Sequence, residues 1–257
     1  MPPDFVEHLI EDYDLNEVFR YLNPQTLYCS HLGLRGNYST LLAKKDPKLL
    51  KLALQVEEVK RTLVDSKSLH PRAIYRFFEC NKVGNSILIY DGDKIAQTLE
   101  FPRQQSGEHL CLADFVCTKE EGRDSLGFFV VSVGHAVIEH ARELRNRGDY
   151  VKSHLLQVVA LECAESFAEI VHKKMRELWG ILDSHLTTEQ IVSAQYAGKR
   201  FSYGYPACPD LEEQRKLFAL LTPEKIGVHL TESMMMEPEA SISALVFYNP
   251  QCKHFTI

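Results

Sequence analysis

The stretch Ser86-Ile87-Leu88-Ile89-Tyr90-Asp91-Gly92-Asp93-Lys94-Ile95-Ala96-Gln97-Thr98-Leu99-Glu100-Phe101 decides the class of the fold. An apolar run over 86–90 meets a turn at Asp91-Gly92-Asp93, and 95–101 then alternates, which predicts an antiparallel hairpin. Upstream, Asp46-Pro47 has the form of a helix start, a capping carboxylate followed by proline in the first turn. Leu49, Leu52, Val56, Val59 and Leu63 recur at the spacing of one helical face, so this helix is predicted to run to about Val64. Nearer the N-terminus, Asp14 caps a brief helix through Val18 and Phe19. Asn23-Pro24 breaks it, because proline drives the residue before it out of the helical region. Downstream, 126–133 is a continuous apolar run with Phe128, Phe129, Val130 and Val131, as expected of a central strand. A helix over 136–147 ends at Gly148, and the longest predicted element is a helix over 150–179, closed by Gly180. Short helices follow over 187–196 and 210–221, the second capped by Asp210. Two strands over 228–234 and 241–248 close the chain, joined by a Glu237-Pro238-Glu239 turn. Strand pairs on short turns, with helices grouped around them, indicate an α+β fold with a twisted antiparallel sheet. G-x-G-x-x-G is absent, which argues against a doubly wound dinucleotide fold. With no repeat or linker in sight, one compact domain over 1–257 is expected.

Composition narrows the function classes. The chain has 257 residues, 45% hydrophobic and 25% charged, with a net charge of −6, which excludes a disordered or low-complexity protein. No apolar run approaches the roughly 20 residues of a membrane span. Met1-Pro2-Pro3-Asp4-Phe5 has neither the basic nor the apolar region of a secretory signal. Mild acidity without a basic stripe argues against a nucleic-acid partner. The seven cysteines, at 29, 80, 111, 117, 163, 208 and 252, include no C-x-x-C pair, so they read as free thiols in a reducing, cytoplasmic setting. Cys111 and Cys117 fall in a strand-like run.

Several motifs invite chemistry. On the long helix Leu156, Val159, Ala160, Cys163, Phe167, Ile170, Val171 and Leu178 share one side, with Glu162, Glu165, Glu169 and His172 opposite. Glu169-x-x-His172 is half of a di-iron pattern, but no second half exists, so a solvated acidic face is expected. Val151, Val158, Leu161 and Ala168 flank these acids and imply that part of the face is covered. Asp183-Ser184-His185 resembles the start of a cobalamin-ligating loop. That loop needs glycine three residues after the histidine, and Thr188 stands there, so a helix-entry loop is expected. G-x-S-x-G and H-E-x-x-H are both absent.

The most informative segment is 198–210, Gly-Lys-Arg-Phe-Ser-Tyr-Gly-Tyr-Pro-Ala-Cys-Pro-Asp. Pro206 and Pro209 stiffen it, Gly204 permits a close approach, and Ala207 can present an amide. Arg200 can fork onto a carboxylate, and the tyrosines can face an aromatic ring or a cation. A purely structural loop is equally compatible with this composition.

This loop resembles the R-x-x-x-G-Y-P-A-C-P signature of the reactivation domain of cobalamin-dependent methionine synthase. Further similarity runs in order along the chain, from about Val18 to Phe255. It includes Arg103-Gln104-Gln105, Cys111-Leu112-Ala113-Asp114-Phe115-Val116, Glu165-Ser166-Phe167-Ala168-Glu169, Thr231-Glu232-Ser233 and Ala240-Ser241-Ile242-Ser243-Ala244. The resemblance implies a C-shaped α+β domain that binds S-adenosylmethionine in a groove and docks over the cobalamin of a partner domain. An electron from flavodoxin or a diflavin reductase and a methyl group from S-adenosylmethionine then restore an oxidised cobalamin. Carried over, Arg200 holds the ligand carboxylate, Tyr205 with Pro206 and Ala207 lines the pocket, and Glu165 lies near the ligand amine or sulfonium.

Three positions depart from the family pattern. Asn23 replaces an aspartate that meets the ligand amine, Ala194 replaces an acid six residues before Arg200, and His254-Phe255 replaces a tyrosine pair. The same residues are compatible with an alternative, a docking module for a cobalamin protein that no longer binds S-adenosylmethionine. Homocysteine, folate and cobalamin modules are not visible here, so this chain alone is not expected to make methionine.

Overall fold

The computed structural model describes residues 2–257. The chain opens with β1 (His8–Ile10), α1 (Leu15–Arg20), a π-helical segment at Gln25–His31, α2 (Tyr38–Ala43) and α3 (Pro47–Ser66). Next come β2 (Arg72–Val83), β3 (Ser86–Asp91), β4 (Lys94–Glu100), a 3-10 turn at Leu112–Phe115 and β5 (Asp124–Ser132). α4 (Ala136–Asn146), α5 (Tyr150–Leu178), α6 (Thr188–Val192), β6 (Lys199–Phe201) and α7 (Gln214–Leu221) follow. The short strands β7 (His229–Leu230) and β8 (Met236–Glu237) and the longer β9 (Ser241–Phe247) complete it. The main sheet has seven strands in the order β4-β3-β2-β5-β9-β6, with β1 beside the first half of β2. Its strand pairings are all antiparallel, as the hairpin at 86–101 predicts.

The sheet is covered on both faces, and side-chain alternation divides the core in two. Ala73, Tyr75, Phe77, Phe129, Val131, Ala244 and Val246 face α3, α4 and α5. Ile74, Phe78, Leu126, Phe128, Val130, Leu245 and Phe247 face α7, the 112–115 turn and the 203–208 loop. β5 is therefore apolar throughout because both of its faces are buried. Each phenylalanine enclosed here contributes about 1.5–3 kcal/mol relative to exposure.

α3 starts where the sequence places it, with Asp46 accepting from the backbone N–H of Lys48 (2.9 Å) and Leu49 (3.1 Å). α5 is pinned to the sheet at its end: Trp179 donates from Nε1 to Ser125 Oγ (3.1 Å) and meets Phe77 edge-on. Gly127 makes room for this contact, since a Cβ there would come within 2.6 Å of Met175 Cε and 3.0 Å of Trp179.

Several expectations are corrected. β2, the twelve-residue neighbour of β5, is not predicted, because Arg76, Glu79, Asn81 and Lys82 interrupt its apolar pattern. Arg76 keeps its charge outward by pairing with Asp91 at 3.0 Å and lying over Phe78. The 111–116 segment is a 3-10 turn rather than a strand, with Asp114 accepting from the N–H of Cys111 at 2.9 Å. The strand expected over 228–234 shortens to β7, because Thr231 turns the chain by accepting from the N–H of Met235. β7 pairs with β8, while β9 goes to β5 and β6. The acidic side of α5 is covered rather than solvated: Glu162 and Glu169 are 2% and 7% exposed and His172 is fully buried. The seven cysteines are free thiols. Among the described residues no helix is long and apolar enough to cross a membrane.

The 112–115 turn is clamped by charge. Arg103 donates to both Asp114 oxygens (2.6 and 2.9 Å), and Lys82 adds a third contact at 2.5 Å. The Arg103 hydrogen bonds, reinforced by Lys82, hold the Asp114 carboxyl well below the usual carboxylate range. A depressed carboxyl stabilises the fold above its unfolded value near 3.8 and loses that contribution as pH falls toward its folded value. Asp114→Asn is expected to cost about 2–3 kcal/mol at neutral pH. Urea titrations of the two proteins should converge in acid, below about pH 3.8.

Candidate functional site

Gly198 begins the site. It has φ +72°, and a Cβ there would meet the Phe247 carbonyl at 2.8 Å, so only glycine lets β6 approach β9 this closely. β6 then pairs Arg200 with Val246, which ties the arginine backbone to the main sheet. Beyond it the chain folds back tightly, with Gly204 donating to the Cys208 carbonyl and Cys208 to the Tyr205 carbonyl, both at 2.9 Å. Tyr203, Ala207 and Cys208 plug the core beneath, while Tyr205 stands out at 61% exposure.

Arg200 reaches across to α5. It donates from Nη1 to Glu169 Oε2 at 2.8 Å and lies 3.5 Å from Glu165 Oε2. Two cavities meet here, of about 430 and 350 Å³, and Glu165, Glu169, Val192, Arg200 and Tyr205 line both. The larger is walled by Phe201, Tyr203, Met234, Met235, Met236 and Ile242, with Gln214 and Ser243 as polar groups. The smaller is walled by Tyr21, Asn23, Thr26, His31 and Glu162. Two buried oxygens of wall residues lack a hydrogen-bond partner in the protein: Tyr203 Oη, and Glu169 Oε1, which instead faces Arg176 Nη1 in a 3.7 Å ion pair. An arginine with donors to spare, an orphaned tyrosine hydroxyl and an aromatic, methionine-rich wall suit an elongated ligand with a charged end and a flat end.

The structure gathers most, not all, of the residues singled out from the sequence. Arg200, Tyr205, Glu165, Asn23 and His254 line one or both cavities, as does Ala194. Pro206, Ala207 and Phe255 line neither. Ala207 is buried under the loop, and Phe255 packs against Phe115 and Phe201. Partial desolvation, with the cations Lys199 and Arg200 nearby, lowers the pKa of His254. Sequence reasoning names Glu162 and Glu169 but as a solvated face, takes Tyr203 only as one of the loop tyrosines, and misses His31 and the methionine wall. The one signal for the two glutamates was the apolar flank at Val158, Leu161 and Ala168.

Behind Arg200 lies a second layer of buried charge. Tyr196 donates to Glu169 Oε2 at 3.1 Å, and burial, with Glu169 beside it, pushes the Tyr196 phenol up. Arg176, fully buried, grips Asp183 through Nε (3.1 Å) and Nη2 (2.5 Å), and its guanidinium lies 3.5 Å from the Tyr196 ring centre. Asp183 is thus an ion-pair partner inside the protein, in the position read as a helix-entry loop. His172, enclosed beside Arg176 and Tyr196, has its pKa driven well below normal by burial and by the surrounding cations. Glu169 is committed to Arg200 and Tyr196, so the Glu169-x-x-His172 pattern is an internal brace. Removing the buried cation strands Asp183 without a counter-charge, so Arg176→Met is expected to cost about 3–5 kcal/mol in a urea titration. Asp183→Asn should cost less, because an amide oxygen still accepts from the guanidinium.

A family model for the activation domain of vitamin B12 dependent methionine synthase matches residues 14–257. Methionine synthase of Mycobacterium tuberculosis is 29% identical over 279 residues, which takes in 100% of this chain and 23% of that protein. Methionine synthase of Mycobacterium leprae is 28% identical over 283 residues, with the same coverage of 100% and 23%. The chain thus spans about a quarter of the length of these relatives. A crystal structure of the MetH reactivation domain bound to AdoHcy superposes with a TM-score of 0.93 at 28% identity, over 99% of this chain and 82% of that one. A match that runs from residue 14 to the last residue, on so similar a backbone, makes the chain a member of the vitamin B12 dependent methionine synthase activation domain family.

Proposed function

We propose that this chain binds S-adenosylmethionine across the two joined cavities and serves as the reactivation module for a cobalamin held by another domain or protein. The observation that carries this reading is Arg200, fixed by Glu169 at the junction of the two cavities. Only two of its contacts are to glutamates, so N–H donors remain for a ligand carboxylate. The aromatic and methionine wall of the larger cavity suits a purine. Tyr203 Oη offers a polar partner there, while the Gln214 amide, held by Met234 and Ser243, braces the wall. Glu165 supplies negative charge near a sulfonium or ammonium, and Tyr205 stands at the open side. Pro206 and Ala207 hold the loop under Tyr205 and act on the ligand through it. His254, near Arg200, is uncharged at neutral pH and so does not repel a cationic ligand.

When bound, the ligand supplies a methyl group for reductive remethylation of oxidised cobalamin, with the electron coming from flavodoxin or a diflavin reductase. The chain's own contribution is to hold that donor in place for the partner, which is catalysis by proximity and orientation. No nucleophile is required of it. Methionine formation is not expected from this chain alone. Seven free thiols fit a cytoplasmic setting.

Calorimetric titration of the purified chain tests the reading. S-adenosylmethionine and S-adenosylhomocysteine should both bind, and Arg200→Ala should weaken each roughly ten- to hundredfold, the loss expected of a hydrogen-bonded charge pair. Absence of heat with both ligands, together with an unshifted melting temperature, would replace this reading with that of a docking module.

A further inference from the structure

Glu162 lies one helical turn before Glu165, in the wall of the smaller cavity. It is 2% exposed, and its carboxylate pairs with the His31 ring, whose Nε2 is 3.0 Å from Glu162 Oε1. The other two carboxylates of this wall, Glu165 and Glu169, already face Arg200. Asn23 cannot supply the missing charge, and its amide oxygen already accepts from the Thr26 N–H at 3.2 Å. An α-amino acid anchored by its carboxylate at Arg200 carries an ammonium within a few ångströms of that anchor. Glu162 is the carboxylate of the smaller cavity that no arginine or lysine neutralises.

We infer that Glu162, backed by His31, receives the ammonium group of the bound ligand and makes the site selective for ligands that carry a free α-amine. This rests on the reading of the joined cavities as a site for S-adenosylmethionine. The charges around Glu162 set its response to pH. His31 contacts it from the π-helical segment and Glu165 repels it from the next turn of α5, while Tyr21, Glu169 and Arg200 line the same cavity. Burial, with Glu165 adding repulsion, pushes the Glu162 carboxyl up to about 7. Below that pH the carboxyl is largely protonated and binding an ammonium must expel the proton, so affinity should fall as pH falls through about 7.

The test compares S-adenosylhomocysteine with 4-(5′-adenosylthio)butyrate, which lacks only the α-amine. Both are titrated into the wild-type chain and into Glu162→Gln, His31→Gln and Arg200→Ala at about pH 6 and about pH 8. Glutamine matches the protonated glutamate in shape, so the variant should fold, and its melting temperature checks this. Wild type should prefer the amine-bearing ligand by at least about tenfold at the higher pH. Glu162→Gln should abolish that preference along with the pH dependence, and His31→Gln should shift the pH profile. Equal binding of the two ligands by wild type, or an undiminished preference in Glu162→Gln, would overturn the assignment while leaving the Arg200→Ala effect intact. Failure of wild type to bind either ligand would overturn the underlying reading as well.

Discussion

A helix packed on every side has nowhere to send a charge except into a partner. α5 is such a helix. The sheet lies on one side, and α1, the 25–31 segment and the residues leading into β6 lie on the other. Glu162, Glu169, His172 and Arg176 are consequently shut inside. Isolated burial of even one of these ions would cost several kcal/mol. The structure answers with a chain of contacts that runs from Asp183 to Arg176, across the Tyr196 ring, to Glu169 and on to Arg200. Glu169 and Arg200, the last two members of this chain, border both cavities. The same constraint that keeps the long helix folded therefore aims the cation that defines the site.

Covalent order in the sequence made parts of this readable. The hairpin at 86–101, the capped α3 and the all-apolar β5 follow from turn residues, caps and periodicity, and each forms where these signals fall. β2 is not legible because its burial depends on pairing with β1, β3 and β5 at once, while Arg76 and Lys82 find partners in Asp91 and Asp114. Periodicity cannot register a neighbour distant in sequence. The acid face of α5 was misjudged for the same reason, since what covers it is short and irregular. The 25–31 segment and the Ala194 turn, with φ +54°, have no signature of their own.

The loop at 198–210 shows the limit from the other side. Its composition marked it as unusual, and Arg200 and Tyr205 do line the cavities. Composition did not distinguish the residues that face the cavities from those that hold the loop down. Ala207 and Cys208 point into the core, Tyr203 is shared between the core and the larger cavity, and only packing reveals that division of labour.

Gly198 has one further consequence. Because its bare Cα lets β6 lie against the Phe247 carbonyl, and Arg200 pairs with Val246, the position of the guanidinium is measured from the sheet and not from the loop that follows. Drift or remodelling between Ser202 and Leu211 would alter the rim of the cavities without displacing their cation. Any change in the spacing of β6 from β9 would move that cation directly. The scaffold thus separates what can vary from what must stay still, and a single residue without a side chain anchors the part that stays still.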